Sequence, residues 1–189
     1  MSSSNAITIQ GLSKQFANQP APAIAELSVT ISPGTITGLV GPDGAGKTTL
    51  LRLLCGLLRP SSGQLSVGGL DPASGTAALH EAIGYMPQKF GLYEDLTVAE
   101  NLALYADLRQ IIGQERQERL ARLLAFTDLA RFTDRYAGKL SGGMKQKLGL
   151  ACTLLGQPRI LLLDEPGVGV DPLSRRELWK MVRELSAQG

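Results

Sequence analysis

A chain of 189 residues is about what one hydrophobic core serves. With 43% apolar and 19% charged residues, it has the material for such a core, which excludes a disordered chain. Nineteen Lys and Arg against 17 Asp and Glu leave a net charge of +2, and aromatics are only 5%; neither fits a nucleic-acid surface or a base-stacking platform.

In chain order, Met1–Asn5 lacks the basic start and apolar stretch of a signal peptide. Strand-like runs follow at 6–12, 27–31 and 35–40, with Pro33-Gly34 as the turn between the last two. A helix is predicted over 47–57, stopped by Arg59-Pro60, then short strands at 65–67 and 83–86. The pattern from Val98 to about Ala130 is helical, and a further helix follows Ser141 to Leu155. A buried strand over 159–164 and a helix over 172–187, with Pro172 in its first turn, complete the series. Strands alternating with helices predict an α/β core with parallel strands at its centre. The helical middle, about 97–155, reads as an inserted subdomain. Cys55 and Cys152 lie far apart in apolar segments, so a reduced, cytoplasmic setting is expected. No apolar run approaches the ~20 residues of a membrane span.

Gly41-Pro42-Asp43-Gly44-Ala45-Gly46-Lys47-Thr48 fits GxxxxGK[ST] at every fixed position, between an expected strand and an expected helix that continues through Thr49. Glycines permit the tight turns that let successive N–H groups converge on phosphate oxygens, and the helix start adds its positive dipole end. Lys47 supplies a charge for the β- and γ-phosphates, and Thr48 a hydroxyl for Mg²⁺. This is the pattern of a nucleoside triphosphate site. Ile160–Leu163 then runs into Asp164-Glu165, and two carboxylates ending an apolar strand need a reason to be there. Asp164 suits Mg²⁺, and Glu165 suits polarisation of the water that attacks the γ-phosphate. Leu140-Ser141-Gly142-Gly143 is a helix start with a capping serine and uncovered amides, a second anion-binding end.

A phosphate loop, an LSGG stretch and an acidic strand end in this order resemble the ATP-binding cassette family, over essentially the whole chain. The resemblance implies a P-loop NTPase core with an antiparallel N-terminal β subdomain and an inserted helical subdomain. It implies that Gln88, in Tyr85-Met86-Pro87-Gln88, approaches Mg²⁺ and the attacking water. It makes Gly169-Val170-Asp171-Pro172 the D-loop, and it places Phe16 where the family stacks an aromatic on adenine, although an aromatic near a strand end also suits a core. ATP and Mg²⁺ are the implied cofactors. The implied partners are a second cassette, as a homodimer or tandem half, and membrane permease subunits on the cytoplasmic face of the inner membrane; no direct nucleic-acid contact is expected. Head-to-tail pairing would set Ser141 and Gly143 against the partner's ATP. Phe90–Leu102 resembles ATPases of ABC-2-type and multidrug exporters, with Leu92-Tyr93 either a docking surface or subdomain core.

Two departures are mild: Gly167 stands where the family often has Thr, and Val170 where it usually has Leu. The family's switch histidine has no counterpart, because the only histidine, His80, precedes the signature and reads as a surface residue on a helix. The chain is therefore expected to be one cassette, residues 1–189, incomplete at its C-terminal end and poor at turnover by itself. An exporter ATPase is the leading reading; a soluble ribosome- or DNA-directed cassette, or a cassette that binds without turnover, are the alternatives.

Overall fold

The computed structural model describes residues 6–17, 19–89 and 91–187. Phe90, part of the exporter-like stretch, lies outside them, as do Met1–Asn5 and Gly189. Two compact units emerge: the described residues up to Ile83 together with Pro158–Asp164, and Gly84–Gln157 together with the described residues from Glu165 onward.

In the first unit, β1 (Ile7–Lys14), β2 (Ile24–Ile31) and β3 (Ser62–Val67) form an antiparallel sheet in the order β2–β1–β3. Ile7 faces Ile31 on one side and Val67 on the other. The buried positions are Ile7, Ile9 and then Leu12, a break in the period of two. A bulge explains it. Gly11 takes φ +55, its N–H turns to the Ser28 hydroxyl at 2.8 Å, and both ladders shift register there.

Helix α1 (Lys47–Leu54) buries Leu50, Leu53 and Leu54. It stops three residues short of the predicted Leu57 because Gly56, at φ +72, takes the left-handed turn that ends helices, and Leu57 is left exposed. Helix α2 (Ala77–Ala82) carries His80 on its exposed side, as expected. Arg159 N–H donates to the Ala82 carbonyl at 2.9 Å, which sets the start of β5 (Ile160–Leu163) beside the end of α2. β4 (Ile83–Met86) begins in this unit and runs into the next.

The strand predicted over 35–40 does not form. Its apolar pattern is there, but a strand also needs neighbours for its backbone groups, and among the described residues none pairs with it. Ile36 and Leu39 are about half exposed, and Val40 is 94% exposed. The phosphate loop therefore follows an unpaired segment.

The second unit is helical: α3 (Val98–Leu108), α4 (Gly113–Phe126), α5 (Gly142–Leu154) and α6 (Pro172–Ala187). The helical pattern from Val98 to Ala130 is split where Gln110 and Gly113 adopt positive φ. Val98, Leu102, Ala106, Leu123, Leu148, Ala151, Cys152 and Leu155 form its buried core. Both cysteines are free and buried; burial pushes the Cys55 thiol up to about 12 and that of Cys152 further, so both stay protonated. No described helix is long and apolar enough to cross a membrane.

Candidate nucleotide-binding site

The sequence-predicted residues gather in two groups, one in each unit. In the first, Gly44 and Gly46 have φ of +80 and +87, the conformation glycine adopts at least cost. Gly46 has a further constraint: a Cβ there would overlap the carbonyl oxygen of Ala23, just before β2. It stands at the N-cap of α1, where no side chain caps the helix, so the first-turn amides that follow suit an anion rather than a capping serine. Asp43, Gly44 and Ala45 are exposed in the turn, and the Ala45 N–H donates to Pro42 at 3.2 Å. Lys47 and Thr49 are half-buried; the Lys47 ammonium donates to the carbonyls of Gly41 and Pro42, at 2.9 and 3.0 Å, and closes the loop on itself.

Asp164, directly after β5, is only 3% exposed, and the Thr48 hydroxyl donates to its Oδ1 at 3.1 Å. Residues 116 apart in sequence thus place a hydroxyl and a carboxylate together. Hard oxygen donors of this kind suit Mg²⁺, which takes one or two protein ligands and completes its shell with water and phosphate. Among the described residues no group of three or more His, Cys, Asp or Glu gathers that could hold a metal ion. Phe16 follows β1 and is half-buried, with the Lys14 ammonium 5.1 Å from its ring centre.

In the second unit the Gln88 amide donates to Glu165 Oε2 at 2.9 Å. Glu165 takes φ +50, a conformation uncommon for a residue with a side chain, as the chain turns to the Val168 N–H, which donates to the Glu165 carbonyl at 3.1 Å. Ser141 caps α5 by accepting from Met144 N–H at 3.3 Å. Ser141 and Gly142 are exposed, whereas Gly143 is buried. Asp171 caps α6, accepting from the amides of Leu173 and Ser174 at 3.0 and 2.9 Å. The Ser174 hydroxyl and amide hold its carboxyl below the usual range.

Leu92 packs on the helical core, and Tyr93 is 55% exposed. Two contributors were not legible beforehand. Asn101 is fully buried and ties down the 93–97 segment, and Ser174 binds Asp171 where a Cβ on Gly143, at the start of α5, would meet its side chain. The only hint of the first was Thr97-x-x-Glu100, a capping box that marks where α3 begins.

The ABC transporter family model matches residues 24–168, from β2 to the loop after β5. The chain belongs to the ABC transporter family. Over 183 residues it is 66% identical to the probable multidrug ABC transporter ATP-binding protein YbhF of Escherichia coli, covering 97% of this chain and 32% of that protein. It is 38% identical over 184 residues to the daunorubicin resistance ATP-binding protein DrrA3 of Streptomyces coeruleorubidus, covering 97% and 58%. Its fold matches cbiO1 from Clostridium perfringens, part of the ABC transporter complex cbiONQ, with a TM-score of 0.87, 26% identity and coverage of 97% and 74%. The cassette thus has the ABC ATPase fold, and it spans about a third of the first relative and just over half of the second.

Proposed function

We propose that this cassette binds and hydrolyses Mg-ATP to drive a membrane exporter of the multidrug type. The observation that carries the reading is the Thr48–Asp164 hydrogen bond, which joins the phosphate loop to the acidic strand end in a pair of hard-oxygen donors. Thr48 and Asp164 would hold Mg²⁺, which when bound neutralises phosphate charge. The glycine turn and the start of α1 receive the phosphates; Lys47 leaves its two carbonyls for the β- and γ-oxygens. Glu165 accepts the proton of the attacking water, and Gln88, already on its carboxylate, orients it. Gln88 as a further metal ligand, and Phe16 as the adenine-stacking ring, complete the site in this reading.

The likeness to YbhF and DrrA3 supports export, and the likeness to a component of cbiONQ supports work alongside permease subunits at the cytoplasmic face. A second cassette completes each site by bringing Ser141, Gly142 and Gly143 to the γ-phosphate of its partner, beside Asp171. Exposed Tyr93 belongs to the permease-docking surface.

The deciding experiment is Glu165→Gln in the full-length polypeptide. ATP binding should persist while phosphate release falls by about 10²–10⁴, and ATP should hold the protein as a dimer on gel filtration. Unchanged phosphate release would remove Glu165 from the role of base.

A further inference from the structure

The start of α5 owes its position to a side chain outside the family's motifs. A Cβ on Gly143 would overlap both the Cβ and the Oγ of Ser174, in the first turn of α6. The overlap with Cβ matters more, because no rotamer change moves a Cβ. A Cβ on Gly142 would lie 2.9 Å from the carbonyl oxygen of Gly169, on the loop leading into α6. One turn further along both helices, Lys147 and Glu177 form an ion pair at 2.7 Å, with the lysine side chain only 12% exposed. Ser174 also binds Asp171, the residue that caps α6. The two glycines of the signature thus have a packing duty inside their own chain, apart from any ligand.

We infer that Ser174 is a positioning residue for the signature. It fills the room left by the missing side chain of Gly143 and so locks the anion-receiving amides of α5 to the Val168–Asp171 loop. The loop that follows Glu165 and the phosphate-facing end of α5 then shift as one body. The inference deepens the ATP-driven reading above and relies on it only for the turnover measurement.

A double-mutant cycle in the full-length protein tests it: Gly143→Ala, Ser174→Gly and the pair, read by ATP turnover, by amide exchange over residues 142–145, and by urea unfolding. Gly143→Ala should lower kcat about tenfold with little change in KM and speed exchange at these amides; Ser174→Gly in the pair should return both close to the Ser174→Gly values. Additive losses would overturn the inference. So would recovery of stability and exchange while kcat stays lost, because Gly143 would then serve the ligand directly. Where Gly143→Ala does not accumulate, Ser174→Val pushes on the same contact from the other side. It should speed exchange at 142–145 without changing the unfolding midpoint, and unaltered exchange would refute the contact. If the unaltered protein shows no ATP turnover, the proposed function fails, and amide exchange alone decides the positioning role.

Discussion

Asn101 has no exposed surface and uses both ends of its amide. Its oxygen accepts from the Tyr93 N–H at 3.0 Å, and its nitrogen donates to the carbonyls of Tyr93, Leu96 and Thr97 at 3.0, 3.2 and 2.9 Å. Tyr105 adds a hydroxyl to the Gly91 carbonyl at 3.1 Å, so α3 fastens the segment that presents Tyr93. Asn101→Ala leaves these backbone groups without that partner, and urea unfolding should show a loss of about 1–3 kcal/mol. Asn101→Asp, which accepts but cannot donate when ionised, should lose as much or more; a loss of a few tenths for either would mean that water replaces the amide. The site residues were readable because phosphate and magnesium chemistry admits few residue types at fixed spacing. Asn101 was not, because an asparagine inside a helix gives no signal until a distant loop folds over it. Gly46 was readable for half of its reason: the motif explains the tight turn, but not the Ala23 carbonyl that also excludes a side chain.

Helices α3 and α6 both begin on a carboxylate-assisted cap. Glu100 accepts from Thr97 N–H at 2.8 Å, which lowers its carboxyl, and Asp171, which caps α6 through two amides, is lowered first by the Ser174 hydroxyl and then by the Ser174 amide. A carboxyl lower in the folded chain stabilises it above the ordinary carboxyl range, and that stability disappears as pH falls toward the folded value. Helicity by circular dichroism should therefore fall as the pH drops below the ordinary carboxyl range, and Glu100→Gln with Asp171→Asn should flatten this limb. An identical acid limb in the double variant would show that the caps do not set it. Elements whose causes are local matched their predicted spans: α6, with proline in its first turn, and β4 agree to the residue. α1 ended early because its stop is the Gly56 turn rather than Pro60. The predicted strand over 35–40 failed because periodicity reports which face would be buried, not whether a neighbouring strand arrives to bury it.

At the scale of the molecule, a departure from a covered core among the described residues is this same segment, Thr35-Ile-Thr-Gly-Leu-Val40, which is uncharged, free of proline and exposed throughout. β-prone stretches of this kind pair with one another through their open backbone groups. Light scattering of the 189-residue chain should show association that rises with concentration, and Leu39→Lys should suppress it; equal scattering for the two would point to another surface. The consequence reaches to how the protein is lost on storage. Loss limited by unfolding is first order and has a half-life that dilution does not change. Loss through encounters between exposed 35–40 segments is second order, so each halving of concentration doubles the half-life. Where encounters between these segments govern its loss, dilution lengthens the lifetime of this chain in proportion.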